Sequence, residues 1–116
     1  MSTDRWADVL AGGDVDALAA TLHRDVVLVS DGGGRVVTPL RPVRGASPVS
    51  RVVSTAMGDA TGRTLTVEEV NGRRAVVVRR SGSACAVVMT EVDGGLVTRV
   101  WLVLNPDKLV RWHARR

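Results

Sequence analysis

The sequence predicts an α+β domain, with helices packed on one face of a curved antiparallel sheet. Three observations carry that expectation. Apolar residues recur at helical spacing through the N-terminal half, as in "DVDALAATLH". Beyond Met57 the pattern changes to short valine-rich runs, "TLTVEEV", "RAVVVRR", "ACAVVMTEV" and "LVTRVWLVL". Glycine-bearing turn signals, "NGR", "SGS" and "DGG", separate those runs. With 116 residues the chain is long enough for one domain and too short for two, so residues 1–116 are read as a single unit with a basic tail from about 110 to 116.

Residues 4–11 and 14–23 read as two short helices separated by Gly12–Gly13. In the second, Val15, Leu18, Ala19 and Leu22 share a face and Asp14 is placed to cap it, with His23 at the favourable C-terminal end. Asp25 then opens a β-branched run, Val26 to Val29, closed by Asp31 and the glycines 32 to 34. A second extended stretch is expected over Arg35–Leu40, followed by a loop through "RPVRGASP" between Pro42 and Pro48. Ser47 can cap a third helix with Pro48 at its first position and Val49, Val52, Val53 and Ala56 as its buried stripe.

The four later runs form the meander. Both alternating faces of "ACAVVMT" are apolar, Ala84, Ala86 and Val88 on one side and Cys85, Val87 and Met89 on the other. A sheet with one wet face would alternate apolar with polar. The helices cover one face, and a second copy of the chain is the simplest cover for the other, which predicts a homodimer through the outer sheet face. A sheet curled tightly enough to hide both faces is the alternative.

Composition narrows the function classes. Hydrophobic residues make up 45% and charged residues 24%, an ordinary folded composition. Three tryptophans with no phenylalanine or tyrosine leave valine, leucine and alanine to build the core. The net charge of +4 raises nucleic-acid binding, but the arginines are dispersed and no aromatics are interleaved with them to stack on bases, which argues against it. One cysteine, Cys85, excludes an internal disulfide and sits in a hydrophobic strand as an inert thiol. His23 and His113 have no metal-ligand spacing, so neither a metal nor another cofactor is expected. Glu68 and Glu69 should point to opposite faces of one strand, and Gly32 to Gly34 lack the lysine-serine pair and helix of a phosphate loop. No stretch reads as a signal peptide or membrane span, which makes the cytoplasm the default compartment.

In this order, "GDVDALAATLHRDVVLVSDGGGRV", "LRPVRGASPVSRVV", "VNG" and "LVLNPDKL" resemble the SnoaL-like, nuclear transport factor 2-like superfamily. They are most similar to the C-terminal SnoaL-like extension of extracytoplasmic-function sigma factors, and the likeness runs from about Gly13 to Leu109. The resemblance implies a cone-shaped fold with a pocket between three helices and the concave sheet. It also implies that "DGGGR" and "NPDKL" serve communication with sigma domains. The chain starts with methionine about a dozen residues before the matching region and carries no helical sigma domains, so it is expected to be a freestanding relative or an excised regulatory domain.

"RDVVLVSD" is similar to the strand of ketosteroid isomerase, a superfamily member, whose terminal aspartate is the general base, and Asp31 falls at that place. A carboxylate at the rim of an aliphatic pocket is partly desolvated, which favours the role, whereas Arg35 or Arg41 nearby would oppose it. The other reading of Asp31 is a cap on the glycine turn. The isomerase's oxyanion tyrosine has no counterpart, since the chain lacks tyrosine, and Val87 falls near the place of its acid. Trp101, Asn105 and Met89 complete the pocket candidates, although a tryptophan within a strand is more often a core or interface side chain than a ligand wall.

Two functions follow. In one the chain is a cofactor-independent acid-base enzyme, a cyclase, isomerase or lyase, with Asp31 as catalytic base. It would act on an apolar or polyketide-like molecule held by Trp101, Asn105, Arg35, Arg41 and Met89. In the other it is a non-catalytic regulatory module that senses a ligand or docks on a transcription partner. The self-contained start favours the first; the motif match favours the second.

Overall fold

The computed structural model describes residues 1–32, 41–70 and 72–110, Asp107 by its backbone alone. The expected strand over Arg35–Leu40, the Asn71 turn position, His113 and the basic tail from Arg111 lie outside the described residues. In order, the elements are α1 (Thr3–Gly12), α2 (Val15–Ala20), β1 (Leu22–Asp31), β2 (Val43–Arg44), α3 (Ala46–Met57), β3 (Arg63–Val70), β4 (Arg73–Arg80), β5 (Ser83–Asp93), β6 (Leu96–Val103) and α4 (Pro106–Leu109). The six strands make one sheet in the order β2-β1-β6-β5-β4-β3. The layout is the α+β cone that the sequence predicts, an open curved sheet with the three helices α1 to α3 on one side.

The Ser2 hydroxyl caps α1 by accepting from the Arg5 N–H at 3.2 Å, and Gly13 ends the helix at φ 72°. The Asp14 carboxylate caps α2 as expected, accepting from Asp16 and Ala17 N–H at 2.9 and 3.2 Å. The helix does not run to residue 23. The Thr21 hydroxyl donates to the Leu18 carbonyl at 2.7 Å, and the Thr21 carbonyl accepts from Val97 N–H at 2.9 Å, drawing the chain into the sheet. Leu22 and His23 therefore open β1, and His23 Nδ1 accepts from the Asp25 N–H instead of facing a helix end.

Two expectations around residues 42–48 are corrected. The stretch read as loop contains β2, whose Val43 and Arg44 pair with Leu28 and Val27. Ser47 does not cap α3; the helix starts at Ala46 with Gly45 at the cap position, at φ 100°. Gly45 donates its N–H to the Val26 carbonyl at 2.9 Å, so a backbone bond to β1 sets the entry point. Ser47 Oγ instead accepts from Arg51 Nη2 at 2.8 Å.

The meander forms where expected. Ser81–Gly82 and Gly94–Gly95 have φ of 51° and 81° and of 61° and 82°, the left-handed pairs that suit two-residue hairpins. The sheet is mixed rather than antiparallel throughout, because β1 lies parallel to β6. The chain between them is long enough to return by a crossover, which a parallel pair requires.

A register shift also corrects the assignment of faces. Val78 pairs with Ala86 but Arg79 pairs with Ala84, so Cys85 is the extra residue of a bulge in β5. Ala84 joins Val87 and Met89 on the face away from the helices, whereas Cys85, Ala86 and Val88 face the helix side. That side is the main core, in which Trp6, Leu18, Leu28, Val49, Val53, Val76 and Leu102 are fully or nearly fully buried. The Trp6 indole N–H donates to Thr21 Oγ1 at 2.9 Å, tying α1 to the end of α2. Part of the outer face is covered by the chain itself, since Leu109 of α4 is buried against Val70, Ala75, Val77, Ala84 and Val87.

Candidate functional site on the outer sheet face

Strand register decides where the candidate residues stand. Leu28 of β1 is buried on the helix side, so Val27, Val29 and Asp31 point to the other face. Val29 pairs with Trp101, Asp31 with Val103, and Trp101 with Met89. Asp31, Trp101 and Met89 thus share the outer face. The enzyme reading expected Asp31 at the rim of the pocket beneath the helices, whereas the carboxylate stands on the opposite side of the sheet. Its Oδ2 accepts from Lys108 Nζ at 2.6 Å, its side chain is 37% exposed, and its carbonyl accepts from Leu104 N–H at 2.7 Å. One-residue alternation along β1 produces this outcome, because burying Val26 and Leu28 fixes Asp31 outward.

The other candidates divide. Asn105 stands between β6 and α4, where its carbonyl accepts from Lys108 and Leu109 N–H at 3.0 and 3.2 Å and starts the turn of α4. Arg41 is exposed ahead of β2. Arg35 lies outside the described residues. On the helix side, the buried polar side chains among the described residues are Thr21 and Ser50, both donating to helix carbonyls.

A cleft of about 150 Å³ opens where α1, α2 and the end of α3 converge, over Leu10, Leu18 and Met57. None of the residues picked from sequence lines it. Its arginine, Arg63, is committed to structure: Nη1 donates to the Met57 and Gly58 carbonyls and Nη2 to those of Leu10 and Ala11. The Asp14 carboxylate there is occupied as a helix cap.

The outer face carries its own charge pattern. Trp101 is half-buried, with the guanidinium carbons of Arg73 and Arg99 at 5.0 and 5.6 Å from its ring centroid. At these distances both cations are attracted by the ring's negative face. Arg73 also reaches Glu91 at 4.0 Å. Arg79 holds Glu68 through a two-pronged pair at 2.6 and 3.2 Å. The Arg79 hydrogen bonds, assisted by the Thr66 hydroxyl, keep the Glu68 carboxyl below its ordinary value of 4.5. The folded-state value is depressed, so this contribution to stability is present above the ordinary value and disappears as pH falls through the lowered one. Glu68→Gln is therefore expected to flatten the loss of stability below about pH 4.5, measured by urea denaturation against pH. Partial burial pushes the Cys85 thiol pKa up, and its Sγ donates to the Val78 carbonyl at 3.4 Å.

The arginine row was not legible in the sequence. Arg99 lies two residues before Trp101 and so shares its face, a signal that was available. Arg44 and Arg73 come onto that face only through strand pairing.

No family model matches the chain. The extracytoplasmic-function RNA polymerase sigma factor SigJ of Mycobacterium tuberculosis is 28% identical over 121 aligned positions, which span 90% of this chain and 36% of that protein. Its crystal structure superposes with a TM-score of 0.65, over 90% of this chain and 42% of that one. Two further solved structures share the fold. A putative ketosteroid isomerase from Kribbella flavida has a TM-score of 0.59 at 24% identity, over 86% of this chain and 72% of that one. An LEH-like epoxide hydrolase from M. tuberculosis has a TM-score of 0.58 at 16% identity, over 95% and 84%. The chain has the SnoaL-like, nuclear transport factor 2-like fold. This SnoaL-like chain is related to the sigma-factor extension, and it spans little more than a third of the sigma factor's length. Among the described residues no helix of the SnoaL-like chain is long and apolar enough to cross a membrane.

Proposed function

We propose that this SnoaL-like chain is a non-catalytic regulatory domain that docks on a polypeptide of the transcription apparatus through its outer sheet face. The observation that supports this reading is placement. The titratable residue picked as a base is ion-paired on the outer face. That face also leaves Val29 40% exposed beside half-buried Trp101, while Thr21 and Ser50 are the buried polar side chains among the described residues. An exposed apolar strip rimmed by charge is the ordinary form of a docking surface. The relation to SigJ indicates the kind of partner, since most of that protein lies outside the matched part.

The test is calorimetric titration of the chain with the remainder of SigJ, from which the matched part has been deleted. Binding is expected, and Trp101→Ala should weaken it by about tenfold or more, as for an aromatic anchor at an interface. Asp31→Asn should leave the fold intact, with a stability loss of no more than about 1 kcal/mol because the pair with Lys108 is largely solvated. Failure of the SigJ remainder to bind overturns the reading, as does turnover of an epoxide or ketosteroid that disappears in Asp31→Asn.

A further inference from the structure

The open half of the outer face has a geometry that specifies the chemistry of its occupant. Cross-strand pairing lines up Arg44 on β2, Val27 on β1, Arg99 on β6 and Glu91 on β5, with Arg73 on β4 ion-paired to Glu91. The next row holds Val29, Trp101 and Met89, and the row after it Asp31, Val103 and Val87. An apolar strip of Val27, Val29, Trp101 and Val103 therefore runs along β1 and β6 with basic side chains across one end.

Three carboxylates of this face have basic partners, Glu91 with Arg73, Asp31 with Lys108 and Glu68 with Arg79, while Asp93 stands apart at the end of the β5–β6 hairpin, paired with Leu96 in the ladder. Arg44 and Arg99 are exposed and have no carboxylate partner among the described residues. Strands lie about 4.8 Å apart, so these two guanidiniums rise from backbones about 10 Å apart. A guanidinium held over an aromatic ring still has N–H donors free for a carboxylate.

From this we infer that the outer face binds an acidic amphipathic segment of its partner, with apolar side chains on Val29, Trp101 and Val103 and carboxylates on Arg99 and Arg44. A helix suits the spacing, because residues seven apart lie about 10.5 Å apart on one side of it. A second copy of the chain suits it less. The face carries the basic side chains of Arg44, Arg73, Arg79, Arg99 and Lys108 against the carboxylates of Asp31, Glu68, Glu91 and Asp93, so it keeps a small positive excess that a like face does not neutralise. Nucleic acid is also disfavoured, since a base stacking on Trp101 would have to displace the Arg73 or Arg99 guanidinium already held over the ring, and no second aromatic side chain stands beside it among the described residues of this face. The inference rests on the docking reading and adds the partner's charge to it.

The probe is a fluorescein-labelled, helix-forming peptide of about 20 residues, with leucines along one stripe and glutamates seven apart beside it. A glutamine version and a single-stranded DNA oligonucleotide serve as comparisons. By fluorescence anisotropy the glutamate peptide should bind, the glutamine peptide at least tenfold more weakly. R44E/R99E should lose tenfold or more for the glutamate peptide, and Trp101→Ala should weaken both peptides. Circular dichroism checks the variants; should they unfold, the unmodified chain must still lose the glutamate peptide as salt is raised. Equal binding of the two peptides overturns the inference and leaves outer-face docking standing. Tighter binding of DNA that depends on Arg44 and Arg99, or self-association that blocks the peptide, also overturns it. Loss of SigJ-remainder binding, by contrast, removes the docking reading itself.

Discussion

Replacing Trp6 by alanine is expected to destabilise the fold by about 3–5 kcal/mol, the range for truncating a large buried aromatic. Trp6 is 1% exposed, packs in the helix-side core and donates its indole N–H to Thr21. The hole would open between α1 and the sheet, and α1 would lose its tie to the end of α2. Urea denaturation should show a lower midpoint, and the melting temperature should fall by more than about 10 °C. Trp6→Phe keeps much of the ring's burial but not the donor, so its loss should be closer to the 1–3 kcal/mol of an unsatisfied buried group. A Trp6→Ala protein within about 1 kcal/mol of the parent would contradict this account of the core.

The second large effect is at Arg63. Its guanidinium gathers four carbonyls, those of Leu10 and Ala11 at the end of α1 and of Met57 and Gly58 at the end of α3. Helix C-termini present unsatisfied carbonyls and a partial negative charge, so a fixed cation answers both. Arg63→Met should cost about 2–3 kcal/mol, from hydrogen bonds with a charged donor. Arg63→Lys should recover only part of this, because an ammonium cannot span two helix ends as a planar fork does. Full stability of the lysine variant would remove the clamp as an explanation. Arg80 plays a related part, donating to the Thr61 and Met57 carbonyls at 2.9 and 3.0 Å and also to the Asp59 carbonyl. The positive net charge is thus partly structural. Arg74 pairs with Asp4 and Arg79 with Glu68, so these arginines bind the protein's own groups.

Much of the fold was legible because local chemistry and burial agreed. Asp14 capped α2, the valine-rich runs became β3 to β6, and the Ser81–Gly82 and Gly94–Gly95 turns supplied the left-handed conformations that hairpins need. Boundaries failed where a tertiary contact competed with local preference. The Val97 bond to Thr21 ended α2 early, and the Gly45 bond to Val26 set the start of α3 where a serine cap was expected.

The candidate residues were legible in the sequence, but the face they stand on was not. Asp31, Trp101 and Met89 were singled out from sequence, and they do share one surface, though it is the face away from the helices. Asp31 illustrates the difficulty: a strand's side chains alternate, so a one-residue change of phase moves a carboxylate from a sheltered pocket to the solvent side. The bulge at Cys85 exchanged faces in the same way for Ala84.

By itself the sequence determined the element types, the hairpin turns and the kinship with SnoaL-like domains, because spacing, turn chemistry and motif order are properties of neighbours along the chain. Only the tertiary structure decided that Arg44, Arg99 and Arg73 line up beside Trp101, that Leu109 folds over part of the outer face, and that Asp31 meets Lys108. Those contacts join residues far apart in sequence, and their register is fixed by which side chains the core buries, a condition that no local pattern records.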